Sequence, residues 1–182
     1  MSGHSKWSKI KRQKGANDAA RGVVFGKLAR RIAVESKLAG GDVNAPSLRA
    51  AMDAARAANM PKDNIERAVA KGASADAAAL ESVTYETYGP GGAAIIIDAL
   101  TDNRNRTAAE IKHLLSKLGL ELAAPGSALW AFEKTDGVSA EGAKYEPKTT
   151  VPLSEEDDAK LMEILGAIDE HDDVQEVYTN AA

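Results

Sequence analysis

The chain has 182 residues, no cysteine and a formal net charge of −4. The absence of cysteine excludes disulfide bonds, thiolate nucleophiles and sulfur-ligated zinc or iron. No apolar run approaches the ~20 residues that a membrane-spanning helix needs, so we expect a cytoplasmic protein with no membrane partner. The net charge conceals a split, because residues 1–72 hold 15 Lys and Arg against 6 Asp and Glu, whereas residues 73–182 hold 8 against 21. This asymmetry predicts a polyanionic partner for the basic half, and nucleic acid fits best.

The basic half, residues 1–72, begins with a predicted arm and a long helix. Residues 1–16 show no sustained periodicity, so we expect them to form an unstructured basic arm. Asn17 or Asp18 can cap a helix that runs to about Ala39. Its apolar positions share one face, and basic positions form an adjoining stripe that we expect on the outside.

Two shorter helices complete a predicted three-helix bundle. One follows Pro46, and the other starts near Pro61 and is expected to end at Gly72. Residues 73–80 are rich in Ala, Ser and Asp and predict a linker.

The acidic half, residues 81–182, has the pattern of an α/β domain. Alternating or β-branched runs predict five strands, at residues 83–88, 93–100, 128–132, 149–153 and 174–178. Thr107 and Glu110 have capping-box spacing and predict a helix start, and Ser154 with Asp157 predicts another. The whole chain is therefore expected to be an α+β protein, with a three-helix bundle followed by a two-layer sandwich whose sheet is mostly antiparallel.

Signatures of catalysis and metal binding are mostly absent. Residues 89–92 predict a hairpin turn rather than a phosphate-binding loop, because they join two strands. The acidic runs at 155–158 and 169–173 predict solvated helix faces rather than cation sites. The three histidines stand on unrelated predicted elements without metal-ligand spacing: His4, His113 and His171. We expect a non-enzymatic protein with no metal, cofactor or small-molecule substrate.

The basic arm and the helix stripe form the predicted nucleic-acid interface, because Lys and Arg neutralise phosphates. Trp7 has two open interpretations, since it could stack on a base or anchor the arm to the bundle. The candidate nucleic-acid-binding residues are Lys6, Trp7, Lys9, Lys11, Arg12, Lys14, Arg21, Lys27, Arg30, Arg31, Lys62, Arg67, Arg104 and Arg106.

The segment at residues 101–107 places two of these arginines just ahead of a predicted helix N-terminus. Free N–H groups and the helix dipole favour an anion there, so Arg104 and Arg106 could meet a phosphate. Alternatively, Asp102 and Thr107 build a turn and a cap while the arginines pair with acids, an interpretation that the residues slightly favour.

Five ordered motifs span nearly the whole chain, at residues 3–7, 60–68, 88–92, 101–107 and 172–178. Together they resemble the YebC/PmpR family, whose mitochondrial members include the translational activator of cytochrome oxidase. The resemblance implies a helical N-terminal domain joined to α/β domains, a cytosolic location and nucleic-acid-linked gene regulation. Family members usually carry a further α/β domain after the third strand. In this chain the third predicted strand is followed only by a short link at residues 134–147, so we expect that domain to be missing.

The sequence is compatible with three functions. The first is a ribosome- and RNA-associated translation factor that relieves stalling, as the resemblance implies for some relatives. The second is a DNA-binding transcriptional regulator, for which no clear base-reading helix is evident. The third is a protein-interaction adaptor that acts through the acidic half.

Overall fold

The computed structural model describes residues 7, 9–11, 18–75, 77, 79–135 and 144–182. Predictions that fall on Lys6, Arg12, Lys14 or most of the 134–147 link lie outside these residues. The helical half consists of α1 (Asp18–Leu38), α2 (Pro46–Ala57) and α3 (Lys62–Ala73). The three helices match the predicted bundle closely.

The helical half has its own apolar core, in which α1 packs against the other two helices. The fully or nearly fully buried members of this core are Ile32, Leu48, Ala51, Ala55, Met60, Ile65 and Ala68. The sequence predicts that Gly72 ends α3, but this residue lies inside the last turn of the helix, where α3 crosses close to α1. A Cβ at this position would stand 2.2 Å from the carbonyl oxygen of Ala33. Gly72 is therefore needed for helix packing rather than for helix termination.

The α/β half begins with a hairpin of β1 (Glu81–Tyr88) and β2 (Ala94–Thr101), joined by a short 3₁₀ turn. Helix α4 (Arg104–Lys117) follows, then the two short strands β3 (Phe132–Lys134) and β4 (Tyr145–Pro147). Helix α5 (Glu155–Asp169) and strand β5 (Val174–Thr179) complete the chain. The main sheet has the order β1-β2-β5 with antiparallel neighbours, and β3 pairs with β4 in a second antiparallel sheet.

Both faces of the central strand β2 are covered, which explains its continuous apolar run. On one face, Ile95 and Ile97 join α4 and α5 in the larger core. On the other face, Ile96 packs with Phe132 and Tyr178 in a smaller core. The molecule is thus an α+β protein with a mostly antiparallel sheet, as the sequence predicted.

Two of the predicted strands are wrong. Residues 128–132 form mostly a 3₁₀ turn (Leu129–Ala131), because the backbone amides of Ala128 and Leu129 turn to donate to the side chain of Glu86. Residues 149–153 make only an isolated bridge, between Val151 and Ala181, and the strand of this region, β4, lies earlier in the chain.

The predicted capping box at Thr107 is also wrong. Helix α4 begins three residues earlier, and the side chain of Asn103 accepts a hydrogen bond from the backbone N–H of Arg106 at 3.1 Å. Thr107 is instead buried inside the helix, where its hydroxyl lies 2.7 Å from that of Thr101. The last helix does start as predicted, with Ser154 Oγ accepting from the backbone N–H of Asp157 at 3.1 Å. Among the described residues, no helix has the length and apolarity needed to cross a membrane.

Candidate nucleic-acid interface

Trp7 is not available to stack on a base in this structure. It is helical, only 1% exposed, and packed in the larger core of the α/β half, against which Ile10 also packs. Residues 9–11 are also helical. The prediction of an unstructured arm is therefore wrong for these residues, and Trp7 anchors the segment to the α/β half rather than to the bundle. A tryptophan is large enough to make this burial a strong attachment.

Two predicted phosphate-binding lysines bind carboxylates of the acidic half instead. Lys11 Nζ lies 3.1 Å from Asp169 Oδ1 and 3.1 Å from Glu176 Oε1. Lys27 Nζ lies 3.0 Å from the same Asp169 oxygen, and its side chain is 8% exposed. Burial lowers the pKa of Lys27, although the charge of Asp169 opposes the shift. The stripe on α1 is thus not wholly on the outside, because Lys27 faces the α/β half.

Asp173 is the centre of a second ion-pair group between the two halves. Its buried carboxylate accepts from the guanidinium of Arg30, from Arg106 Nη2 at 2.8 Å and from Thr107 Oγ1 at 2.7 Å. Burial alone would raise the pKa of Asp173, but the hydrogen bonds from Thr107, Arg30 and Arg106 and the charge of Arg30 outweigh it. The net effect lowers this pKa to about 2.

The prediction of a solvated helix face at residues 169–173 is therefore wrong. The two inward carboxylates of this acidic run, Asp169 and Asp173, hold cations from the helical half. The other acidic run, at 155–158, forms the first turn of α5, where negative charge is favoured by the helix dipole.

Arg104 and Arg106 pair with acids. Arg104 Nη1 lies 3.6 Å from Glu81 Oε2, and both side chains are exposed. Arg106 contacts Asp102 at 3.1 Å in addition to Asp173. This arrangement matches the pairing interpretation of the segment rather than the phosphate-binding one.

The fold brings His171 next to Glu110, which is 61 residues away in sequence, and Asp173 follows His171 closely along the chain. His171 Nε2 lies 3.0 Å from Glu110 Oε2, and the backbone N–H of Asp173 donates to His171 Nδ1 at 3.1 Å. Ligand atoms of these three residues lie within 4.8 Å of one another. However, Asp173 already accepts from Arg30 and Arg106, and two guanidiniums disfavour a metal cation at the same carboxylate. The cluster is thus a cation site whose occupants are arginine side chains.

The remaining predicted cations that the structure describes lie exposed, and most of them are on the helical half. Lys62 Nζ is 3.5 Å from Glu66, and the guanidinium of Arg67 donates to the side-chain oxygen of Asn64. The exposed candidates are Lys9, Arg21, Arg31, Lys62, Arg67, Arg104 and Arg106. The candidate list omits four further exposed cations of the helical half, Lys37, Arg49, Arg56 and Lys71. Lys71 stands one turn after Arg67 on α3, and this spacing alone could have identified it.

The structure also exposes two aromatic rings that the sequence analysis did not single out. Trp130 is 59% exposed and Tyr88 is 38% exposed. Trp130 Nε1 donates to the hydroxyl oxygen of Tyr88 at 3.1 Å. The sequence pattern predicts a strand at residues 128–132, and the exposure of Trp130 follows from the 3₁₀ turn that the structure has there.

The fold and the charge distribution define an α+β protein with a basic helical half fastened to an acidic α/β half. Family models match nearly the whole chain: the TACO1/YebC protein N-terminal domain over residues 5–75, and the TACO1/YebC second and third domain over residues 80–143 and 136–181. The chain belongs to the TACO1/YebC family.

Individual relatives agree with this assignment. A probable transcriptional regulatory protein of Carboxydothermus hydrogenoformans is 41% identical, with 99% of this chain and 98% of that protein aligned. One from Burkholderia mallei is 39% identical, with 100% and 98% aligned. The crystal structure of a conserved hypothetical protein from Aquifex aeolicus has a TM-score of 0.78 and 34% identity, and covers 91% of each chain.

The two curated relatives are longer than this chain. Their alignments run over 239 and 237 positions, whereas this chain has 182 residues. The family model for the second and third domain matches in two segments that meet at residues 136–143. These residues lie within the 134–147 link, where the sequence analysis expects a further domain to be missing.

Proposed function

We propose that this protein is a non-enzymatic, nucleic-acid-binding regulator of gene expression, and that it acts on structured RNA of the ribosome. The observation that supports the proposal is the exposed basic surface of the helical half. After internal pairing, this half still presents the exposed cations Arg31, Arg49, Lys62, Arg67 and Lys71. Phosphates are attracted to such a surface at long range.

The character of this surface favours contact with phosphates over the reading of base edges. Sequence reading in the major groove needs Arg, Asn or Gln side chains free to form paired hydrogen bonds with bases. On α3 the Arg67 guanidinium is bound to the side chain of Asn64. On α2, Arg56 lies 2.6 Å from Asp53. Residues held by each other in this way are suited to binding shape and backbone, which is the usual mode for structured RNA.

The first test measures binding by the full chain. We expect it to bind ribosomal RNA with an affinity that falls steeply with salt, because each neutralised phosphate contributes about −0.9 to the log–log slope on duplex DNA and about −0.7 on single strands. Arg67→Gln combined with Lys71→Gln should weaken binding roughly tenfold and flatten the slope. Lys160→Gln, an exposed lysine on α5, is the matched control and should change neither. A flat salt response of the wild-type protein would contradict the proposal.

The second test separates RNA from DNA as the cellular target. We expect the protein to sediment with ribosomes from a lysate and to lose this association after nuclease treatment. A strain lacking it should show ribosome pausing, with proline runs as the expected site, while transcript levels change only secondarily. Ribosome profiling with matched transcript counts measures both.

A DNA-binding transcriptional regulator is the second candidate, because both curated relatives carry the name probable transcriptional regulatory protein. This candidate predicts protein bound at discrete promoters and normal pausing in the deletion strain. Promoter occupancy measured in the same cells would decide in its favour.

A further inference from the structure

The exposed Trp130 and Tyr88, here called the aromatic pair, form a surface feature that the fold does not use for its core. Aromatic residues make up only 4% of the chain, and it has only two tryptophans. One of them, Trp7, is fully buried, whereas Trp130 leaves more than half of its surface in water. A large exposed aromatic ring offers apolar surface on which a partner can pack.

The fold holds the backbone beneath Trp130 in a fixed conformation. Glu86, a buried acid on β1, accepts hydrogen bonds from the backbone N–H groups of Gly126, Ala128 and Leu129 at 2.6, 2.7 and 2.9 Å. A carboxylate that binds three amides makes a strong local constraint on the chain. The 3₁₀ turn that presents Trp130 is therefore preorganised.

The two aromatic side chains also hold each other. Trp130 Nε1 donates to the Tyr88 hydroxyl oxygen, and the Tyr88 hydroxyl donates to the carbonyl of Ser127. The polar atoms of both rings are thus satisfied within the protein. What remains available to a partner is the apolar surface of the rings.

We propose that the aromatic pair is a stacking site for an unpaired nucleobase of the bound nucleic acid, an inference that rests on the proposed function. Stacking requires only a ring face, and every base has one. A proline-rich or other extended peptide would instead need free donors for its carbonyl groups, and the indole N–H is already engaged. A base therefore fits the available chemistry better than a peptide.

Exposed lysines lie near Trp130 in the fold, alongside the exposed acid Glu133. The backbone N–H of Lys148 donates to the carbonyl of Ala131 at 2.8 Å, which puts this exposed lysine beside the residue that follows Trp130. Lys134 lies exposed at the end of β3, which pairs with β4, and Lys148 directly follows β4. These lysines can contact the phosphates that flank a stacked base.

The test uses the full chain and short single-stranded oligouridine, with a fully paired RNA duplex for comparison. We expect oligouridine to quench the fluorescence of the wild-type protein, and Trp130→Phe to abolish the quenching because its remaining tryptophan, Trp7, is buried. Trp130→Ala should weaken oligouridine binding by about 5- to 150-fold, the range that loss of one base–aromatic stack produces. Trp130→Phe should retain most of the affinity, since it keeps a ring.

Two further measurements distinguish the loss of stacking from other effects of Trp130→Ala. The salt slope should stay the same in Trp130→Ala, because no phosphate contact is removed, and duplex binding should change little. Leu38→Ala, at an exposed apolar residue of α1, is the control and should bind oligouridine like wild type. Thermal melting of each variant confirms that the fold is retained.

Three results would overturn the inference, and they have different meanings. Unchanged oligouridine affinity in Trp130→Ala, with a normal salt slope in wild type, would reject the stacking site and leave the proposed function intact. Failure of the wild-type protein to bind any nucleic acid would reject both. Quenching that follows protein concentration instead of oligouridine would assign the aromatic pair to a contact between copies of this chain.

Discussion

The cations of the helical half fall into two groups that the sequence does not distinguish. Lys27 and Arg30 on α1 point to the acidic half and bind Asp169 and Asp173. Arg31, the neighbour of Arg30, is exposed. Identical side-chain chemistry thus serves adhesion between the two halves on one side of a helix and remains available for a polyanion on the other.

The difference shows that a count of basic residues overestimates a binding surface. A carboxylate inside the same chain competes for the cation at a fixed, short distance, and the pair is partly shielded from solvent. An exposed pair such as Lys62 with Glu66 holds its cation much more weakly. The partner of each cation, rather than the total charge, therefore decides whether it can bind phosphate.

For the cations that bind the acidic half, the largest effect on stability is expected from Asp173→Asn. This change leaves the guanidiniums of Arg30 and Arg106 without their shared carboxylate, and we expect the free energy of unfolding to fall by about 3 kcal/mol. Urea unfolding of the full chain measures it. Asp172→Asn, at the adjacent acid, is the control, and an equal loss there would contradict a specific role of Asp173.

A second prediction concerns acid stability. The pKa of Asp173 lies at about 2 in the folded protein against 3.8 ordinarily. A lowered carboxyl pKa contributes stability that is present above the ordinary value and is lost as the pH falls through the folded one. We expect this carboxyl to account for about 2 kcal/mol of the stability lost between about pH 4 and pH 2. Asp173→Asn should lack this component, and an unchanged pH profile in the variant would exclude the carboxyl as its source.

A matched pair on α1 compares the two groups directly. Lys27→Gln should lower the free energy of unfolding by about 1–2 kcal/mol, because Asp169 loses one of two cations, and it should leave the salt slope of RNA binding unchanged. Arg31→Gln, one turn later, should reduce that slope by about 0.7 to 0.9 and leave stability unchanged. A loss of stability in Arg31→Gln together with a reduced salt slope in Lys27→Gln would contradict the orientation of α1.

The smallest effect is expected from Arg104→Gln. Its 3.6 Å contact with Glu81 is exposed on both sides, so we expect a stability change below about 0.5 kcal/mol. Function should also survive if this arginine only pairs with a local acid. A loss of RNA binding without a loss of stability would instead return Arg104 to the phosphate-contacting group.

Local spacing was sufficient to predict the helices of this fold. The apolar period of α1 and the Ser154 cap of α5 both depend on residues within a few positions of each other, and both predictions are confirmed. The prediction of a strand at 128–132 failed because Glu86, about 40 residues away, turns that backbone into a 3₁₀ helix. The cap at Thr107 failed because Asn103 offers a side-chain oxygen earlier, and the threonine hydroxyl reaches Asp173 instead.

The sequence alone determined the order of the helices, three of the five predicted strands, the basic and acidic halves and, through its ordered motifs, the family of the protein. Only the tertiary structure decided which cations remain exposed, because Arg30 and Asp173 meet across 143 residues of chain. It also decided that Trp7 is buried and Trp130 exposed. Charge and hydrophobicity are properties of single residues and can be read in order, whereas the partner of a side chain depends on how distant segments pack.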